Sequence, residues 1–160
     1  ILKAIEAKNP SKDFCLISVG RGHTQKDVEQ LASKLGVDGK VRFLGQRTDV
    51  PKLLNAMDMF FLPSLFEGFP IVAIEAQTAG LPLVIADTIS KEVELTNLVH
   101  WLPIDKGAEV WAEKYYQIAH TKVNRVQYAP IVERKGFDAR HSAQILQDIY
   151  VKNILRNENS

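Results

Sequence analysis

Two carboxylates, Glu67 and Glu75, stand eight positions apart in the stretch Ser64-Leu65-Phe66-Glu67-Gly68-Phe69-Pro70-Ile71-Val72-Ala73-Ile74-Glu75-Ala76. An ionised carboxylate can only accept hydrogen bonds, so each needs donors wherever water is scarce. Stepping about 100° per residue along a helix places Glu75 in an arc with Ile71, Val72 and Ala79, flanked by Ile74 and Thr78. A carboxylate in such partly apolar surroundings would be satisfied by two vicinal sugar hydroxyls. The ordinary alternatives stay open on position alone. Glu75 could be exposed on an uneven helix, and an acid such as Glu67 just before a helix start is favoured by the dipole whatever its function.

The elements that must hold these side chains are legible around them. Residues 57–63 form a nearly continuous apolar run of the kind that makes a strand buried on both faces. Pro63 and Ser64 break it. Pro70 suits the first position of a helix, where its missing N–H costs nothing, and that helix is predicted to run to Ala79 and stop at Gly80. Its opening turn leaves the N–H groups of Ile71, Val72 and Ala73 without internal partners, an end that attracts phosphates.

With its glycines and prolines, the string Pro63-Ser64-Leu65-Phe66-Glu67-Gly68-Phe69-Pro70, followed by Glu75-Ala76 and Gly80-Leu81-Pro82-Leu83-Val84, resembles the carboxyl-terminal, donor-binding domain of retaining GT-B glycosyltransferases of family 4. The E-x7-E spacing is that family's signature. Val41-Arg42-Phe43-Leu44-Gly45 and residues 50–64 are similar to the family's preceding strand, helix and strand, so the resemblance covers residues 13–120. Residues 87–96 look most like the capsular and exopolysaccharide branch. The chain departs from many members in carrying Ile89-Ser90-Lys91-Glu92-Val93-Glu94 in place of a Gly-Gly before a Pro-Glu pair.

The resemblance implies a Rossmann-like three-layer α/β/α domain with a parallel sheet, the carboxyl-terminal half of a GT-B fold. It also implies roles. Glu75 would hold the ribose hydroxyls of a sugar nucleotide, and Glu67, with the backbone of Gly68 and Phe69, would line the donor sugar and steady the reacting centre. Ile71 and Val72, opened by Pro70, would offer N–H groups to the diphosphate; Leu44, Gly45 and Arg47 would neighbour the base. The implied reaction moves a sugar from a nucleoside diphosphate, a UDP-sugar by the branch resemblance, to a hydroxyl with the anomeric configuration kept. The implied partner is an amino-terminal acceptor-binding domain of the same enzyme. Two other readings remain: a noncatalytic nucleotide-binding or interaction module of the same fold, and a GT-B sugar-nucleotide epimerase, which the string from Glu67 to Val84 disfavours.

Composition agrees with one domain over residues 1–160. A chain of 160 residues with 46% apolar and 24% charged residues is ordinary for a globular unit. A formal charge of +1 offers no polyanion-binding surface, so nucleic acid is not an expected partner. The single cysteine, Cys15, lies in Phe14-Cys15-Leu16-Ile17-Ser18-Val19, read as a buried strand, and fits a reducing cytoplasm. No apolar run approaches the roughly 18 residues of a membrane span, and no signal peptide opens the chain, so a soluble cytoplasmic protein is expected. Residues 1–7 read as the end of an amphipathic helix, which makes the chain look like a fragment of a larger enzyme, inactive alone.

Apolar runs at 14–19, 41–44, 59–62, 83–86 and 99–102 alternate with helical patterns at 26–35, 51–56, 70–79, 91–96, 108–120 and 138–155. Residues 122–136 read as a short helix or a loop. Gly20-Arg21-Gly22 opens a dinucleotide fingerprint that fails at Gln25, where the third glycine belongs. These glycines suit a tight turn near the cleft, with His23 in solvent. No Walker loop, no Asp-x-Asp and no two-histidine helical spacing occur, so no metal and no cofactor beyond the nucleotide-sugar substrate are expected. Trp101, Trp111, Tyr115 and Tyr116 read as packing residues. From residue 122 to 141, five Lys or Arg face only Glu133 and Asp138. Such a stretch is ordinarily a solvated face, and contact with the anionic inner face of a membrane is its other reading.

Overall fold

The computed structural model describes residues 1–11 and 13–158. In chain order the elements are α1 (Leu2–Lys8), β1 (Leu16–Val19), α2 (Gln25–Lys34), β2 (Val41–Gly45), α3 (Val50–Ala56), β3 (Phe60–Leu62), α4 (Ile71–Thr78), β4 (Leu83–Ala86), β5 (Val99–Leu102), α5 (Ala108–Ile118), α6 (Tyr128–Arg134) and α7 (Ala139–Glu158). All strand pairs are parallel, as the alternation of strand and helix patterns requires. The hydrogen bonds divide them into two ladders, β1-β2 and β3-β4-β5.

The apolar run Leu83-Val84-Ile85-Ala86 lies at the centre of the larger ladder, buried at every residue, because parallel strands covered on both faces have no solvent side. Phe60 pairs with Leu83 and Leu83 with Val99. Around β4 gather Leu81, Val93 and Trp111, each at most 2% exposed. A smaller core of Ala32, Val37 and Val41 joins α2 to β2, with Leu2 and Phe43 against it. Gly80 follows α4 at φ +67°, a left-handed conformation that costs other residues strain, and a Cβ there would stand 2.6 Å from the Arg125 Cα.

Several expectations change. Residues 91–96 form only a single 3-10 turn, Lys91–Val93, because beyond it the Val93 carbonyl and the Leu95 and Thr96 N–H groups bond to Gln77 of α4 instead of continuing a helix. Phe14 and Cys15 precede β1, and Cys15 is exposed. Pro70 is the residue before the first turn of α4, with φ −74° and ψ 96°, not the first helical residue. Residues 122–136 resolve into a 3-10 turn at Arg125–Gln127 and α6.

Candidate functional site

The loop from β3 to α4 carries the two carboxylates, and short polar contacts shape it. The Ser64 hydroxyl donates to Glu67 Oε1 at 2.8 Å, and the Thr88 hydroxyl, from the loop after β4, donates to the Ser64 carbonyl at 2.9 Å. Glu67 is half-buried with its other oxygen free of protein partners among the described residues. A Cβ added to Gly68 would meet nothing within 4 Å, and its φ is not left-handed. Among the described residues nothing therefore demands glycine at this position, which leaves room for close approach of a ligand. Phe69 lies beside it, stacked on Phe137 at 6.1 Å and 6°.

Pro70 supplies no side-chain cap to α4. The Ala73 N–H donates to the Pro70 carbonyl at 2.9 Å, so of the three donors expected to be free, Ala73 is engaged. Ile71 and Val72 keep theirs without a partner among the described residues. One turn further, Glu75 is half-buried and makes no hydrogen bond or ion pair with any described residue. None of its oxygens is sealed from solvent without a partner. A partly covered carboxylate with no partner of its own, on the helix that opens with two uncapped N–H groups, is equipped to take hydroxyl donors.

Behind α4, Gln77 is wholly buried and joins the helix to the chain that follows β4. Its amide nitrogen donates to the carbonyls of Ala73 and Val93 at 3.0 and 2.7 Å. Its oxygen accepts from the Leu95 N–H at 3.0 Å, the Thr96 N–H at 2.9 Å and the Thr96 hydroxyl at 3.0 Å. Arg125 reaches in from beyond α5 and donates to the carbonyls of Asn55 and Met57 at the end of α3. Sequence reading found neither residue. A glutamine two positions after Glu75 on an apolar helix was the available signal for the first; Arg125 carried none.

Leu44, Gly45 and Arg47 lie at the end of the other ladder. Gly45, at φ +63°, and Phe43 line a cleft of about 220 Å³ with the glycines of the loop after β1, Gly20 and Gly22. Leu44 is partly exposed. Arg47 is engaged in a bidentate pair with Asp49, both contacts at 2.8 Å, which raises the guanidinium pKa and lowers the carboxyl pKa. A larger recess of about 610 Å³, between Lys91 and Lys135, contains none of the predicted site residues. Its wall residue Glu94 is engaged by the Trp101 indole N–H at 2.7 Å. Among the described residues no group of three or more His, Cys, Asp or Glu is placed to hold a metal ion.

Parallel ladders under helices, with an uncapped helix start beside two carboxylates at the carboxyl end of a strand, define a Rossmann-like α/β domain of the GT-B type. Residues 1–127 match the family described as glycosyl transferases group 1, and the chain belongs to that family. It is 32% identical over 139 residues to EpsF of Bacillus subtilis (strain 168), covering 86% of this chain and 36% of that protein. To the lipopolysaccharide glucosyltransferase WaaG of Escherichia coli (strain K12) it is 33% identical over 137 residues, 84% of this chain and 34% of WaaG. The chain thus spans about a third of the length of these relatives. The crystal structure of Anabaena Alr3699/HepE in complex with UDP-glucose superposes with a TM-score of 0.72 at 25% identity, covering 94% of this chain and 44% of that one.

Proposed function

We propose that this chain is the donor-binding domain of a retaining glycosyltransferase that transfers a sugar from a nucleoside diphosphate, a UDP-sugar, to a hydroxyl acceptor in cytoplasmic polysaccharide assembly. The observation that carries this reading is Glu75, half-buried and without a partner among the described residues, on a helix whose Ile71 and Val72 N–H groups are free. Family membership and the likeness to HepE, solved with UDP-glucose, support the choice of ligand.

In this reading Glu75 accepts hydrogen bonds from the two ribose hydroxyls, and the N–H groups of Ile71 and Val72 meet the diphosphate. Glu67, oriented by Ser64, lies along the donor sugar with Gly68 and Phe69, while Leu44, Gly45 and Arg47 flank the base. During transfer the bond from the anomeric carbon to the diphosphate oxygen breaks and leaves its electron pair on the diphosphate. The acceptor oxygen bonds the same face of that carbon and passes its proton to the departing diphosphate oxygen. Charge separates in the transition state, with the diphosphate more negative and the ring cation-like. The amino end of α4 and the Glu67 carboxylate supply fixed charge of the matching sign to each. The acceptor is bound by another domain of the same polypeptide, and no metal takes part.

The test is an amide chemical-shift titration with UDP, GDP and ADP, repeated on Glu75→Gln. Shifts grouped at residues 44–47 and 67–75, largest for UDP and weakened roughly 10-fold or more in affinity by the substitution, are expected for loss of a charge-assisted hydrogen bond. Because Glu75 has no partner among the described residues, the thermal midpoint should not move. Unchanged UDP affinity in Glu75→Gln would sink the ribose assignment. Binding without transfer in the full-length protein would instead mark a noncatalytic nucleotide module.

A further inference from the structure

We propose that Phe137, at the corner between α6 and α7, is a positioning residue for the sugar end of the donor site, a role that rests on the donor-domain reading above. Its ring holds Phe69, and with it the backbone from Glu67 to Phe69.

The loop from β3 to α4 has few other ties. Residues 65–69 make no backbone hydrogen bond with any described residue, and segments without such pairing open at little cost. Ser64 secures one end of the stretch through Glu67 and Thr88, and Pro70, which is buried, secures the other. Leu65 and Phe66 are 78% and 85% exposed and anchor nothing among the described residues. That leaves Phe69, whose ring lies parallel to the Phe137 ring at 6.1 Å and 6°. Parallel, offset rings at about 4.5–7 Å attract one another beyond the area they cover.

Phe137 can hold another residue because its own backbone is fixed from both sides. Its N–H donates to the Val132 carbonyl at 3.4 Å and the Gly136 N–H donates to the Glu133 carbonyl at 2.9 Å, with Gly136 at φ +91°. These two bonds and the left-handed glycine make the Schellman closure of α6. Val132 is 1% exposed, Tyr128 is buried beside it in the larger core, and the Tyr128 hydroxyl donates to Asn97 Oδ1 at 3.1 Å. On the other side Asp138 caps α7, its Oδ1 accepting from the Arg140 N–H at 3.0 Å. The ring therefore projects from a closed corner whose helix is rooted in the core.

The two ends of the site depend on this corner differently. Ile71, Val72 and Glu75 belong to α4, which is held by its own hydrogen bonds and by Gln77. Glu67, Gly68 and Phe69 lie in the unpaired loop, where the Phe69 ring is the tie nearest the helix start. Removal of the Phe137 ring thus frees the groups assigned to the donor sugar and leaves those assigned to ribose and diphosphate in place. A misplaced group beside the reacting centre lowers turnover more than it lowers nucleotide binding.

The test has two arms. In the ligand-free 160-residue chain, backbone order parameters of Gly68 and Phe69 are expected to fall from about 0.85 to below about 0.6 in Phe137→Ala, with those of Val72 and Glu75 unchanged. In the full-length polypeptide, Phe137→Ala is expected to lower kcat roughly 10-fold while UDP affinity stays within about 2-fold, and Phe137→Tyr, which keeps the ring, to match the unsubstituted protein in both. If the alanine variant does not fold, Phe137→Leu, apolar but without a ring face, takes its place with the same expectations. Order parameters that do not move, an unchanged kcat, or rate and UDP affinity lost together would each overturn the proposal. An unsubstituted full-length protein that neither binds UDP nor transfers a sugar would refute the donor-domain reading and the proposal with it, whereas a failed order-parameter response beside intact UDP binding refutes the role of Phe137 alone.

Discussion

Ser64 ties the loop that carries Glu67 to the chain beyond β4. Its hydroxyl is the one protein donor to Glu67 among the described residues, and Thr88 fixes its carbonyl in turn. The string from Pro63 to Val84, not the E-x7-E spacing alone, singled out both carboxylates, since an acid beside a helix start is favoured by the dipole whatever its function. The hydroxyl pair was not legible, because Thr88 lies 24 residues from Ser64 and only the fold brings them together. If Glu67 acts on the donor sugar, Ser64→Ala should lower kcat of the full-length enzyme roughly 10-fold while leaving UDP affinity within about 2-fold, the mark of an interaction that matters more in the transition state. Steady-state kinetics and calorimetry separate the two. A loss of UDP affinity equal to the loss of rate would show that Ser64 supports binding only.

A second residue-scale outcome concerns pH. Burial, with Lys114 a lesser cause, holds the His100 pKa below its ordinary value of 6.5. The unfolded chain therefore binds more protons than the folded one between the lowered value and 6.5. His100 contributes its full share of stability above that upper limit. The share declines as pH falls through the window and levels off once pH is below the folded pKa. His100→Gln should flatten this part of the stability curve, measured by urea unfolding at stepped pH. A slope unchanged by the substitution would mean that another group governs it.

At the scale of elements, α4 was read nearly as it stands because Pro70 and Gly80 act locally, one through a fixed φ and the other through a left-handed φ. The segment 91–96 was misread as a helix because the deciding contacts are not local. The carbonyl of Val93 and the N–H groups of Leu95 and Thr96 bond to Gln77. Gln77→Leu keeps the volume but leaves these buried backbone groups unpaired, each costing about 1–3 kcal/mol. A loss on the order of 3 kcal/mol in denaturant unfolding is expected, together with faster amide exchange at Leu95 and Thr96. A loss below about 0.5 kcal/mol would show that the segment finds other partners.

For the whole molecule, alternating strand and helix patterns were enough to give a parallel α/β sheet, since period and length speak to element type. They were silent on which strands are neighbours, so the division into two ladders, and with it the exposure of Cys15 beside β1, was out of reach. That division has an energetic consequence. The larger core contains β4 and reaches into α4, α5 and α6, whereas the smaller rests on Ala32, Val37 and Val41. Opening of the smaller ladder exposes much less apolar surface and should occur without global unfolding. In the 160-residue chain, amides of Arg42 and Phe43 should therefore exchange faster than those of Val84 and Ile85. Val41→Ala should speed exchange in β1 and β2 while leaving β4 unchanged. Leu83→Ala, which empties a fully buried site at the centre of the larger ladder, should cost about 2–5 kcal/mol and speed exchange in both. Equal acceleration of both ladders by Val41→Ala would show that they unfold as one unit, with α1 and α5 coupling them more tightly than their separate cores imply.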